Sequence, residues 1–478
     1  MKPTTLQKTL MAGILLPFAL LTYGPKADGQ AFEVLHTFEG PDGAEPWSAL
    51  IQGSDGNFYG STGFGGDLTL GYNGEGLGTI FKMTPDGTLT TLVVFEGSNG
   101  SNPGPENDLG PMAESASLLE GDDGNYYGTT GSGGDLSLNF GGWGWWGGGV
   151  GGAGTIFKMA PDGTLTTLVQ FEINPGCDPS GPLIKGSDGN LYGTTLGVPE
   201  HPDGGTVFQL RTNGILRTLT TFYYVDGAGF AYPSDLVQGS DGNFYGLTAT
   251  GTLFKLTPTG ARTTLPFANA NGLVGSGDGN SLYLTISGNS TDCGTLFNMT
   301  LGGKLTTIAS FGGTNGCNPG SGFILRDGNY FGTTSGGGDY GYGTAFEVTP
   351  DGKFTTLFSF DQTNSPAAGA PLMQGSDGNL YGTTVFGGDL SLNFGNGNGT
   401  VFRLVMPVSP PALIITQNAN QIILSWPTNA TGFSLQSSFD LRTAANWLDS
   451  TNTPTILADH YVVTNRISAA SQFFRLAQ

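Results

Sequence analysis

Four aspartates in this chain follow paired glycines, with Asp67, Asp135, Asp339 and Asp389 each closing a Gly-Gly-Asp run. Carboxylates in adaptable loops coordinate cations such as calcium or accept hydrogen bonds from sugar hydroxyls. The same tripeptide also suits an Asx turn, in which the aspartate caps its own backbone. A second group is Trp143, Trp145 and Trp146, three of the six tryptophans, set among glycines between 131 and 153. Exposed aromatics of this kind bind glycans or protein partners; folded onto a neighbouring element, they would only fill space. General acid–base chemistry has little to draw on, because the histidines are His36, His201 and His460 alone. His201 sits in the loop Pro199-Glu200-His201-Pro202-Asp203 without the oriented partner a base needs. No catalytic residue is assigned on this basis, and an enzyme is the less favoured reading.

The frame that must carry these residues is a repeat. An Asp-Gly-Asn signature recurs at Asp55, Asp123, Asp188, Asp241, Asp278, Asp327 and Asp377. Each is followed by Gly-Thr-x-Phe, ending at Phe81, Phe157, Phe208, Phe254, Phe297, Phe346 and Phe402. Successive Asp-Gly pairs lie 37 to 68 residues apart, a range that brackets the period of propeller blades. Residues 48–97 show one unit. Ser48–Gln52 and Asn57–Thr62 read as strands joined by the Asp-Gly turn, and 78–83 and 88–95 form a second hairpin across Pro85-Asp86-Gly87. Four antiparallel strands in each of seven units, with no helical period, predict an all-β chain built on a seven-bladed β-propeller. Tyr59, Tyr127, Tyr192, Tyr245, Phe331 and Tyr381 share one strand-two position, Tyr283 joins them with Ser281 read as an insertion, and these rings should pack between neighbouring units.

The ends of the array predict closure. Phe32–Gly40 matches only the fourth strand of a unit, whereas the seventh unit stops after its third strand at 399–404. Pairing the two would leave no open edge. In such an array Cys293, just before a third strand, and Cys317, in the next interblade connection, emerge on the same face. They are the candidate disulfide, with about 3 kcal/mol of stabilisation in the chain-entropy model. Cys177 would be a free thiol with no base beside it in sequence.

Residues 1–29 read as a signal peptide: Lys2 and Lys8, an apolar stretch over 11–21, then Ala27-Asp28-Gly29. Removing them takes 17 basic and 38 acidic residues to 14 and 37, a net charge of about −23. Such a surface disfavours nucleic acid and anionic membranes and attracts cations. No second long apolar run exists, so no transmembrane segment is expected. The propeller is assigned to 32–405, a proline-rich linker to 406–412 and a small β-sandwich to 413–478.

The string from Gly53 to Thr62, then Gly65-Gly66-Asp67, then Gly78 to Gly87, resembles the GloVer tandem repeat of choice-of-anchor exported proteins. The likeness spans 32–404 and implies location and architecture; the family carries no established activity. The fifth copy departs most, with Leu284 in place of the strand-two glycine and Leu301-Gly302-Gly303 in place of Pro-Asp-Gly. A more distant likeness joins the repeats to streptogramin lyase and related seven-bladed propellers, whose chemistry uses a histidine and a magnesium-binding acidic residue. Leu424-Ser425-Trp426-Pro427, Leu435-Gln436-Ser437, Trp447 and Phe473-Phe474-Arg475-Leu476 resemble a fibronectin-like or immunoglobulin-like module, which implies a spacer, attachment or export role.

Long and varied connections between strands two and three, and between units, place function on one face of the disc. The expectation is an exported or cell-surface monomer, with the periplasm as the other location, that binds a glycan or a cell-surface protein through that face. It requires no cofactor, and calcium is the candidate one. The alternatives are a polysaccharide-active hydrolase or lyase, which needs two carboxylates at a set separation, and a structural surface protein with no small ligand.

Overall fold

The computed structural model describes residues 31–71, 74–102, 117–138, 151–172, 176–179, 181–197, 203–223, 232–288, 292–364, 371–407, 413–418, 421–427, 433–438, 447–450, 452–457, 460–466 and 473–477. The chain divides into two compact units, Met1–Met406 and Pro407–Gln478. No helix among the described residues is long and apolar enough to cross a membrane. The proposed signal peptide lies outside the described residues.

Among the described residues the first unit holds seven four-stranded antiparallel sheets. In chain order their first strands begin at Ile51, Leu119, Ile184, Pro233, Gly272, Cys317 and Met373, the seventh sheet taking its fourth strand from the start of the chain. The first sheet shows why the two signatures recur. Phe58–Thr62 pairs with Thr79–Met83, setting Gly60 opposite Phe81 and Tyr59 opposite Lys82. A side chain at Gly60 would meet the Phe81 ring at 2.6 Å, so the ring of the second signature lies over the glycine that follows Tyr59. The fifth sheet tests this relation, because Leu284 stands opposite Phe297. There the leucine takes the space, and Phe297 is only half-buried while its six equivalents are fully buried. Strand one is shorter than expected in the first sheet: only Ile51–Gln52 of Ser48–Gln52 joins the ladder. Before it, Ser48 reaches strand two through its side chain instead of its backbone, the hydroxyl donating to Ser61 O and accepting from the Ser61 N–H, both at 3.0 Å.

Ala31–Thr37 supplies the fourth strand of the seventh sheet, with Phe32 opposite Leu404 and Val34 opposite Phe402. Neighbouring sheets meet through one repeated pair. The residue after Asp-Gly-Asn packs on the strand-two aromatic of the preceding sheet, at 4.2 Å for Tyr126 on Tyr59, 4.3 Å for Phe244 on Tyr192 and 5.1 Å for Tyr330 on Tyr283. Phe58 of the first sheet meets Tyr381 of the seventh in the same way at 4.3 Å. The first and last sheets therefore pack as consecutive ones do. Such offset aromatic pairs add about 0.5–1.5 kcal/mol each beyond the area they bury.

The second unit holds two antiparallel sheets. One orders Ile414–Asn418, Gln421–Pro427, His460–Arg466 and Thr455–Leu457; the other orders Leu448–Asp449, Ser434–Ser438 and Phe473–Ala477. Leu424, Trp426 and Val463 from one and Leu435 and Leu476 from the other form a single buried cluster.

Candidate functional site

The Asp-Gly-Asn carboxylates are consumed locally. Asp55 Oδ1 accepts from the Asn57 backbone at 3.0 Å, and Oδ2 accepts from Asn57 Nδ2 at 2.8 Å, Tyr59 Oη at 2.9 Å and Lys82 Nζ at 2.8 Å. The same set recurs as Asp241, Asn243, Tyr245 and Lys255, while Asp123 takes Tyr127 and Lys158. Burial opposes ionisation at Asp55 and Asp241, yet the lysine and asparagine bonds outweigh it. At Asp123 the Lys158 bond leads. All three carboxyls are held well below the usual range. Burial also pushes the Tyr59, Tyr192 and Tyr381 hydroxyls up to about 12, with the aspartate acting in the same sense at Tyr192 and Tyr381. The sixth sheet has Phe331, and Glu347 stands at the lysine position, accepting from Asn329 Nδ2 at 2.6 Å. These residues stabilise turns rather than present a site.

Those turns share one face. The Ser54 N–H donates to Glu120 of the next sheet at 3.1 Å, Ser187 to Gln238 at 2.7 Å and Ser376 to Gln52 at 2.7 Å. Lys185 pairs with Asp122, and Arg326 donates to Gly378 O at 2.7 Å. The strand two-three loops lie at the opposite end of every sheet, because all neighbours are antiparallel.

On that opposite end the Gly-Gly-Asp aspartates occupy separate loops. Asp67 Oδ1 accepts from the Thr69 backbone at 2.9 Å and its hydroxyl at 2.6 Å; Asp135 does the same with Ser137 at 2.9 and 2.6 Å. Asp389 Oδ1 accepts from the Ser391 backbone at 2.9 Å. These bonds lower all three carboxyl pKa values, the side-chain bond leading in each case. Asp339 differs, its N–H donating to Ser359 Oγ at 3.4 Å. The glycines answer a steric demand. Gly65 has φ of +87°, and a Cβ there would lie 2.4 Å from Gly40 O, while the Gly66 N–H donates to that same oxygen at 2.9 Å. Gly133 and Gly134 repeat this on Gly97. The motif thus seats each loop on the preceding intersheet connection. Among the described residues no group of three or more His, Cys, Asp or Glu side chains could hold a metal ion. Trp143, Trp145, Trp146 and His201 lie outside the described residues.

Sequence reasoning missed one device. Gly43-Ala44-Glu45-Pro46 recurs as Gly100-Ser101-Asn102-Pro103, Gly176-Cys177-Asp178-Pro179 and Gly316-Cys317-Asn318-Pro319. Glu45, Asn102, Asp178 and Asn318 all have left-handed backbone, φ 51° to 59°, at a cost of about 1–3 kcal/mol for a non-glycine residue. The conformation lets one residue join two sheets. The Asp178 N–H donates to Ala153 O of the second sheet at 2.9 Å, and its carbonyl accepts from the Leu196 N–H of the third at 2.9 Å. Glu45 and Asn102 do likewise with Asn398 and Gly63, and with Leu77 and Gly131. The tetrapeptide, spaced with the repeat, was the available signal. Cys317 in this motif is disulfide-bonded to Cys293, Cα atoms 4.2 Å apart, and Cys177 is a buried free thiol.

The Gloeobacter/Verrucomicrobia repeat model matches residues 21–249 and 250–410, and the chain belongs to that family. No curated protein matches it. Among solved structures it is similar to a streptogramin B lyase, at 15% identity and TM-score 0.50, covering 78% of this chain and 97% of that one. A catalytically inactive virginiamycin B lyase from Staphylococcus aureus, solved with quinupristin, is similar at 13% identity and TM-score 0.50, covering 79% and 100%. At these identities the likeness is one of propeller-like fold.

Proposed function

We propose that this member of the Gloeobacter/Verrucomicrobia repeat family is an exported binding or adhesion scaffold. In this reading its seven sheets are the blades of a closed propeller, and its second unit is a β-sandwich spacer. Support for closure comes from the N-terminal strand in the seventh sheet and from the Phe58–Tyr381 contact, which repeats the other intersheet contacts. The ligand, a glycan or a cell-surface protein, docks on the long-loop face. One observation carries this assignment: Asp67 and Asp135 use a single oxygen, Oδ1, to fix their turns, and their carboxyls are held ionised. Each such turn is a rigid support that still offers a charged acceptor at the surface.

A glycan and surface-protein screen with and without calcium, run on the wild type and on an Asp67→Ala, Asp389→Ala double variant, tests this. A ligand bound by the wild type and weakened at least tenfold in the variant is expected. Equal responses of the two proteins would leave the aspartates as turn residues and favour a structural surface protein.

A further inference from the structure

The charges of the first unit are sorted by face. Lys185 and Arg326 end strand one, and Lys82, Lys158, Lys255 and Arg403 stand near the end of strand three. Every other lysine and arginine between residues 31 and 406 lies in a strand three-four turn or in the first two residues of strand four. All of these positions belong to the short-turn face. By sequence the long-loop end of the sheets carries no lysine or arginine; its described charged or titratable residues include the carboxylates Glu39, Asp67, Glu75, Glu96, Asp135 and Asp389, and His36, whose ring is paired with Asp42 at 2.7 Å. On the short-turn face six cations are bonded to carboxylates, Lys82–Asp55, Lys158–Asp123, Lys185–Asp122, Lys255–Asp241, Arg326–Asp327 and Arg403–Glu33, and the remaining lysines and arginines lie among the other carboxylates of the same face. On the long-loop face the field is uncompensated, which works against the compact state and favours a cationic partner.

Exposed apolar side chains gather on the same face. Leu68 is 44% exposed, Leu136 46%, Tyr340 60% and Phe394 95%, and Tyr342 joins them. Leu68, Leu136 and Tyr340 each directly follow a Gly-Gly-Asp aspartate, and at Leu68 and Leu136 the turn that fixes the carboxylate also projects the apolar residue. Among the described residues Tyr223, at the end of a fourth strand opposite Asp203, also lies at this end, whereas Val34, Leu168 and Leu305 on fourth strands and Ile215 in a turn are scattered. Apolar tips in a field of one sign match a partner that offers apolar contact and the opposite charge.

We propose that the long-loop face docks a basic protein surface in which lysines or arginines alternate with apolar side chains. This rests on the binding-scaffold reading and narrows its partner. The test is calorimetry of the full chain against three soluble probes: a peptide alternating lysine and leucine, its glutamate–leucine counterpart, and a neutral oligosaccharide panel. One variant carries Asp67→Asn, Asp135→Asn and Asp389→Asn, in which the asparagine oxygen still caps each turn. A control carries Asp86→Asn, Asp162→Asn and Asp351→Asn, the same charge change on the short-turn face. A third carries Leu68→Ser, Leu136→Ser and Phe394→Ser, exposed positions whose change leaves the melting temperature unaltered.

The wild type is expected to bind the lysine–leucine peptide and not the glutamate–leucine one. Binding should weaken at least tenfold in the loop-charge and apolar-tip variants, less than twofold in the control, and fall with salt as screening predicts. Equal weakening in the loop-charge variant and the control would overturn the proposal, since net charge alone would then explain binding. Binding of a neutral glycan, lost in the apolar-tip variant, with no response to the basic peptide would overturn it and leave the scaffold reading standing. No binding of any probe would count against both.

Discussion

The internal repeat makes Ala153→Cys a sharp test of the architecture. Cys293 and Ala153 hold equivalent positions, each just before the glycine of Gly-Thr-x-Phe, and Cys317 and Cys177 hold equivalent positions in the intersheet tetrapeptide. The surroundings match: the Asn318 N–H donates to Cys293 O at 2.9 Å, and the Asp178 N–H donates to Ala153 O at 2.9 Å. A Cβ on Gly294 would meet Pro319 at 2.7 Å, and one on Gly154 would meet Pro179 at 2.6 Å. Ala153 and Cys177 are buried in one cluster. The native bridge spans 24 residues, and 153 to 177 is the same span. The variant should therefore form a second disulfide. Chain entropy for a loop of this length gives about 3.4 kcal/mol, from which crowding by the added sulfur subtracts about 1 kcal/mol or more. With an unfolding entropy near 2.1 cal/mol/K per residue over a unit of this size, the remaining gain raises the melting temperature by up to about 3 °C for cooperative unfolding. Scanning calorimetry with and without reductant reads this shift, which reductant should abolish. Thiol titration of the unfolded, unreduced variant should find none, against one in the wild type. A count of two would refute the equivalence of the two seams.

Three further outcomes follow from the same geometry. Asp55, Asp123 and Asp241 titrate in the native state below their unfolded value of about 3.9; their stabilisation is whole above that pH and declines as pH falls through it towards the native values. Denaturation midpoints between about pH 5 and 2 should fall less steeply when all three are changed to asparagine, and parallel curves would dismiss the ion-pair account. Gly65→Ala meets a backbone oxygen at 2.4 Å and should destabilise by about 2 kcal/mol or more, whereas Gly56→Ala, at φ of +80° with open space around it, should cost about 1 kcal/mol; equal losses would show that loop seating does not set the Gly-Gly-Asp motif. Cys177 is buried and its thiol is pushed up to about 12, chiefly by desolvation, so a maleimide should label it only on unfolding; fast labelling of native protein would contradict its placement.

The parts of the fold that the sequence revealed are those whose residues act within one unit. Tyr59, Gly60 and Phe81 recur in phase because ring, glycine and strand pairing are all local, and the phase gives the sheet order directly. The N-terminal strand was legible for the same reason, since Phe32–Thr37 repeats a fourth strand that the seventh unit lacks. What escaped was set by contacts between units. The residue at Glu45, Asn102, Asp178 and Asn318 varies in type because its task belongs to its backbone, so no shared side chain marks it in the sequence. Gly-Gly-Asp drew notice as a carboxylate motif, although its glycines answer to Gly40 and Gly97 of the preceding connections.

The same distinction bears on function. Side chains that draw the eye in the repeat, the Asp-Gly-Asn carboxylates with their tyrosines and lysines, satisfy one another at 2.7–3.2 Å and leave little for a ligand. In the proposed binding reading, recognition falls to positions outside the shared signature, which the fold leaves free to differ between units. Leu68, Leu136, Tyr340 and Phe394 sit at such positions, and the absence of lysine and arginine around them cannot be read from any single repeat. It emerges only when strand order assigns each charge to a face. A surface with that sorting has no internal partner for its field, and the physical resolution is an external one of opposite sign.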